Sequence, residues 1–214
     1  MAETGFAYVQ ARLQSRHGGL PGAAAWQAIE ASHTPGQYLA LARAGPLARW
    51  VGGLDDTGDL HRTEQRLREH WRRYVDEVAR WQPDAWQPAT RWFGQLPELP
   101  LAQRPADAPA PAEAVPWLAR WLQLMPRGAT ASGSAVLLRR IAALLLPALA
   151  GDRRGRAALS EPVHSALLQL FRRHGATPVA VFAHLALVAL DVERLRGGIA
   201  TRVLFAGKHG AQGA

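Results

Sequence analysis

The 214-residue sequence contains no cysteine, which excludes disulfide bridges and metal sites built from thiolates. Lys208 is the single lysine, so arginine supplies nearly all of the positive charge. The two most apolar segments, residues 135–150 and 178–190, fall short of the roughly 20 apolar residues that a membrane-spanning helix needs. Residues 1–10 include an acidic residue and no apolar run, unlike a signal peptide. We therefore predict a cytoplasmic protein without a transmembrane span.

Strand patterns are missing as well, because no six-residue stretch keeps a period-two alternation of apolar and polar residues. Helical spacing is present instead: Leu67, Trp71, Tyr74 and Val78 follow one another at intervals of three and four. This stripe predicts an amphipathic helix from about Asp59 to Gln82. The sequence as a whole predicts an all-α fold, a bundle or funnel of about 9 to 11 short to medium helices.

Local signals at both ends of several segments predict where helices begin and end. Three positions combine a capping hydroxyl with a proline in the first helical turn. They are Thr34 with Pro35, Ser160 with Pro162, and Thr177 with Pro178. Near the C-terminus, Gly197 and Gly198 are expected to bend or end the last helix.

Composition divides the chain into two predicted modules. A proline-rich segment, residues 97–116, has the composition of a linker between a tryptophan-rich module, 1–96, and a basic module, 117–214. All eight tryptophans lie at or before Trp121. Residues 1–119 contain 12 basic and 13 acidic residues, whereas residues 120–214 contain 13 basic and 4 acidic ones, so the second half carries the net charge of +8.

The sequence offers no constellation typical of catalysis, cofactor binding or metal binding. His61 and Glu64 supply only two potential ligands, while zinc ordinarily takes at least three from the protein. Gly207 and Lys208 lack the remaining residues of a phosphate-binding loop. His164, His174 and His184 recur every ten residues, a spacing that does not share a helical face, and are interpreted as structural. We predict no catalytic residue, no cofactor and no metal.

The densest basic run is the candidate partner-facing site, here called the basic patch. It comprises Arg139, Arg140, Arg153, Arg154 and Arg156, with Asp152 as the opposing charge. The run is compatible with an ordinary solvated surface, with docking of an acidic protein, or with anionic lipid headgroups. Nucleic acid ranks third among the functional interpretations, because aromatic residues are not interleaved with these arginines.

Three segments resemble parts of one protein family. The first is residues 6–13, Phe-Ala-Tyr-Val-Gln-Ala-Arg-Leu, and the second is residues 64–81, with a Glu-x-x-Leu-Arg-x-x-Trp pattern. The third is residues 178–199, which carry an acidic residue and arginines before a hydrophobic tail. In their order along the chain, these segments resemble the C subunit of archaeal and V-type ATP synthases, which is called the d subunit in eukaryotic V-ATPases.

The resemblance implies a shortened and divergent member, since family members contain three related helical modules and this chain has room for about two. It also implies a non-catalytic adaptor that couples the membrane rotor ring of a rotary ATPase to the central shaft. Its partners would be the ring-forming proteolipid and the shaft subunits, with possible contacts to lipid headgroups, and it would lie peripherally at the membrane. A general all-α protein-interaction module is the alternative.

Overall fold

The computed structural model describes residues 3–56, 59–98, 114–129, 133–150 and 153–210. Within these residues the chain forms helices and no strands, which confirms the predicted all-α fold. The α-helices are α1 Glu3–Gly18, α2 Ala23–Glu30, α3 Pro35–Ala44, α4 Ala48–Val51, α5 Leu60–Arg80, α6 Gln87–Trp92, α7 Ala114–Gln123, α8 Gly133–Ala150, α9 Arg153–Arg173 and α10 Pro178–Gly210. Two 3-10 segments, Asp84–Trp86 and Phe93–Glu98, flank α6.

The chain forms two compact units, and neither is continuous in sequence. Unit 1 comprises Met1–His17 and Arg72–Leu190, and unit 2 comprises Gly18–Trp71 and Asp191–Ala214. This grouping differs from the predicted modules 1–96 and 117–214, because each unit draws on residues from both sides of the predicted linker, 97–116. Packing between helices that are distant in sequence, and not chain order, determines which residues share a core. Residues 99–113 of that linker lie outside the described residues.

The core of unit 1 is built around the first part of α10. Every residue from Val179 to Ala189 is buried, as expected for a helix that is apolar on all sides. Phe182 of this segment joins Phe93, Trp117 and Trp121 in an aromatic cluster whose contacting ring centroids lie 5.0–5.7 Å apart. Such pairs add specific geometry to the burial of large apolar surfaces.

The core of unit 2 is also rich in large aromatic side chains. Trp26, Tyr38, Trp50 and Trp71 are all buried there. Helix α3 begins as predicted: the Thr34 hydroxyl accepts a hydrogen bond from the Gln37 amide at 3.2 Å, and a proline occupies the first helical position.

Two predicted helix boundaries differ from the structure. Helix α9 begins at Arg153, so the Ser160 and Pro162 signal lies inside it, where packing of α9 along α8 outweighs the local cap. Helix α10, in contrast, begins at Pro178 as predicted, and the Thr177 hydroxyl before it donates to the His174 carbonyl at 2.6 Å.

The second difference concerns Gly197 and Gly198, which do not end α10, since the helix continues to Gly210. The phenol of Tyr38 lies so close to Gly198 that a Cβ atom there would overlap it. Glycine at this position therefore serves close packing between α3 and α10 and not helix termination.

Candidate functional site

The described part of the basic patch lies on the outer surface of unit 1. Arg139 and Arg140 are exposed on α8. Arg153, Arg154 and Arg156 occupy the first turn of α9, and their side chains lie outside the described residues. The structure therefore exposes two of the five predicted residues and leaves the other three without a side-chain description.

The exposed face of α8 combines these two arginines with apolar side chains. Val136 is 66% exposed, and Ala143 and Pro147 continue the same face at helical spacing. The helix contains no acidic residue along its whole length. The opposite face, with Leu138, Ile141 and Leu145 among others, is buried. We call the residues at 136, 139, 140, 143 and 147 the α8 outer face, a surface that is basic and apolar but not acidic.

A second charged surface of unit 1 interleaves arginines with aromatic rings. Tyr8 is 54% exposed on α1, and the Arg12 guanidinium lies 5.0 Å from its ring centroid. Arg12 and Arg16 also lie 5.3 and 5.9 Å from the ring centroid of Trp81, directly after α5. Arg16 further pairs with Glu77 of α5. The result is an alternating seam of guanidinium groups and ring faces, held by cation–π contacts.

Next to this seam, the solvent side of α5 contains an open depression of about 470 Å³. Its lining consists entirely of charged side chains: Arg72, Arg73, Asp76, Glu77 and Arg80. Arg80 pairs with Asp76 at 3.5 Å, and Arg91 of α6 pairs with the same carboxylate at 3.0 Å. With Arg16, five arginines surround two carboxylates, so the depression carries an excess of positive charge.

Two histidines of unit 1, the buried His184 and the half-buried His17, belong to a packed cluster. Tyr74 and His184 are both buried, and the Tyr74 hydroxyl lies 2.6 Å from His184 Nε2. The His17 ring lies 4.5 Å from Phe171 and 6.2 Å from His184 between centroids. Burial, together with the nearby positive charges of Arg172 and His164, lowers the pKa of His17. The burial of His184 and its contact with Tyr74 fit the interpretation of this histidine as a structural residue.

Unit 2 contains a buried carboxyl group that the sequence analysis did not single out. Trp26 Nε1 donates a hydrogen bond to Asp191 Oδ1 at 3.2 Å, and both side chains are buried. Burial raises the pKa of Asp191 to about 7, while the hydrogen bond from Trp26 and the charge of Arg194 oppose that shift. The sequence around Asp191 has the pattern of an apolar helix. Nothing in that pattern predicts a hydrogen bond from the indole of Trp26.

Arginines of α10 tie the C-terminal end of α2 in place within unit 2. Arg194 makes a bidentate pair with Glu30 at 2.6 and 2.7 Å and lies 4.5 Å from the Trp26 ring centroid. Arg202 donates to the carbonyl oxygens of Glu30 and Ser32 at 2.8 and 2.9 Å. Glu30 is the last residue of α2 and Ser32 follows the helix, a place where helix termini leave unsatisfied acceptors. The arginine-rich end of the chain therefore has an internal structural role.

Metal ligands do not converge within the described residues, since no group of three His, Asp or Glu side chains is found there. His61 Nε2 lies 3.0 Å from the side-chain amide of Gln65, whereas Glu64 pairs with Arg68 at 3.0 Å. Among the described helices, none has the combined length and apolar character needed to cross a bilayer.

The seam on α1 was not predicted from the sequence, although part of its signal is visible there. Tyr8, Arg12 and Arg16 recur at intervals of four, which places them on one helical face. Glu77 of α5 and Trp81, which follows that helix, complete the seam from more than 60 residues away, a juxtaposition that only packing produces. Comparison of the chain with protein-family models, with curated proteins and with solved structures finds no match.

Proposed function

We propose that this chain is a non-catalytic adaptor subunit of a V-type or archaeal-type rotary ATPase, placed between the membrane rotor ring and the central shaft. The observation that carries the proposal is the α8 outer face. Its two exposed arginines stand beside exposed apolar side chains on a helix without acidic residues. A basic and apolar helix face of this kind suits an interface with anionic headgroups and the protein at the membrane surface.

The resemblance to the C subunit of these ATP synthases supports the choice of this complex. The three segments that carry it lie in α1, α5 and α10, and α5 and α10 are among the longest described helices. Stiff helices of this length suit a part that transmits force between two partners. Each basic residue near an anionic membrane surface contributes about 1 kcal/mol, so the α8 outer face needs protein contacts in addition to lipid for a stable assembly.

Affinity purification from gently solubilised native membranes, followed by mass spectrometry, tests the proposal. The tagged wild-type chain is expected to retain a small ring-forming proteolipid and shaft subunits. Arg139→Glu/Arg140→Glu is expected to lose most of the recovered proteolipid, because reversed charge repels anionic headgroups. The same reversal at Arg153 and Arg154 extends the test to the rest of the basic patch.

Arg172→Glu/Arg173→Glu is the matched control, since it reverses two adjacent exposed arginines on another helix of unit 1. This control is expected to retain both partners, with an unchanged circular dichroism spectrum. Recovery of neither rotor nor shaft proteins with the wild-type chain would contradict the proposal and favour a general helical interaction module. If both double variants lost the same amount of recovered proteolipid, the α8 outer face would have no specific role in binding it.

A further inference from the structure

The seam on α1 and the depression on α5 form one continuous candidate surface in unit 1, here called the arginine–aromatic face. Its members are Tyr8, Arg12, Arg16, Arg72, Arg80 and Trp81. The arginines of the seam lie against ring faces, and those of the depression surround two carboxylates that already have ion-pair partners. The face therefore offers positive charge and flat aromatic surface together.

We propose that the arginine–aromatic face binds single-stranded nucleic acid, with guanidinium groups contacting phosphates at the depression and a base stacking at Tyr8. Guanidinium groups match phosphate oxygens in a bidentate geometry, and their planes also stack on bases. Surfaces that bind single strands without sequence preference combine a positive groove with aromatic platforms. This inference rests on a surface distinct from the α8 outer face and does not depend on the rotary ATPase proposal.

The spacing of these side chains along the two helices suits a single-stranded nucleic acid that runs along the surface. Arg72 and Arg80 are separated by about 12 Å along α5, given a rise of about 1.5 Å per residue. Tyr8 and Arg16 are separated by a similar length along α1. An acidic peptide would use the same charges, but its carboxylates have no flat ring to place on the exposed Tyr8. The combination of ring faces and arginines therefore favours nucleotides.

Fluorescence anisotropy with a short labelled oligothymidylate tests the proposal. We expect binding that weakens steeply as salt rises from about 50 to about 200 mM, with a log–log slope of about 0.7 per phosphate contact. Arg72→Gln/Arg80→Gln is expected to weaken binding about tenfold and to reduce that slope by about 1.4. Tyr8→Ala is expected to weaken binding about tenfold without a change in slope, because it removes stacking and not charge.

Arg139→Gln/Arg140→Gln is the matched control, since it removes two positive charges from another surface of unit 1 and is expected to retain wild-type affinity. Equal weakening by this control would overturn the proposal, as would an absence of binding at low salt. Displacement of the oligothymidylate by oligoglutamate of the same charge would also overturn it and assign the face to acidic proteins. Photo-crosslinking of a thiolated oligonucleotide to wild-type protein needs no variant: we expect crosslinks in residues 8–16 or 72–81, and crosslinks confined to α8 would contradict us.

Discussion

At the scale of single residues, Asp191 is a group whose protonation depends strongly on folding. Its ordinary pKa of 3.8 is raised to about 7 by burial, so the folded chain holds a proton that the unfolded chain has already released. Because the folded state binds more protons between these values, the contribution of Asp191 to stability is full below about pH 4. It is lost as pH rises through about 7.

Replacement of Asp191 by asparagine tests this linkage. Asp191→Asn preserves an oxygen that accepts from Trp26 Nε1 but cannot ionise, so the loss of stability between about pH 4 and about pH 7 is expected to disappear. Urea unfolding at about pH 5 and about pH 8, followed by circular dichroism, measures the difference between the two proteins. His17 contributes an opposite slope, since its lowered pKa reduces stability as pH falls below 6.5, but that slope is common to both.

Asp191→Leu serves as the control for the hydrogen bond. It also lacks the ionisable group, but it leaves the buried Trp26 N–H without its acceptor, which costs about 1–3 kcal/mol at both pH values. An asparagine variant that keeps the wild-type dependence on pH would show that Asp191 is not the responsible group.

Gly198 is a second residue whose role can be measured. Gly198→Ala would place Cβ against the Tyr38 phenol, and we expect a loss of about 1–3 kcal/mol in the free energy of unfolding. Gly197→Ala is the matched control, because the adjacent position has open space around it. The control is expected to gain about 0.5–1 kcal/mol from the higher helix propensity of alanine. Equal effects at the two positions, measured by urea unfolding, would contradict the close packing of α3 on α10.

At the scale of elements, the start of α3 shows how a local signal specifies a helix. The Thr34 hydroxyl accepts from the Gln37 amide, one of the N–H groups that a helix cannot satisfy itself. Thr34→Ala is expected to lower the free energy of unfolding by about 1 kcal/mol. Thr34→Ser keeps the acceptor and is expected to retain most of the stability in the same urea titration. If serine and alanine were equally destabilising, the lost methyl packing and not the cap would be responsible.

Helix α10 illustrates the limit of such signals. It is 33 residues long, and its first part is buried in the core of unit 1. Its arginines hold the end of α2 in unit 2. One apolar face of the helix is buried over its first five turns and consists of Phe182, Leu185, Val188, Ala189, Val192 and Leu195. The helix does not end at its two glycines, because packing against Tyr38 stabilises it where the low helix propensity of glycine disfavours it.

At the scale of the whole molecule, charge in the sequence and charge on the described surface are distributed differently. Residues 120–214 hold the net excess, yet Arg194 and Arg202 of that half satisfy carboxylate and carbonyl groups of α2. Residues 1–119 are nearly neutral, yet Arg12, Arg16 and Arg80 gather on one face of unit 1. The net charge of a sequence segment therefore does not predict where positive charge lies on the surface of the folded chain.

From the sequence alone we could predict the all-α class, the amphipathic stripe of α5 and the cap of α3, because helical periodicity and capping act over three or four residues. Tertiary packing was needed to bring Trp26 to Asp191, Tyr38 to Gly198, and Arg12 and Arg16 to Trp81. These contacts join residues more than 60 positions apart, and the packing of whole helices, which no local pattern encodes, brings them together.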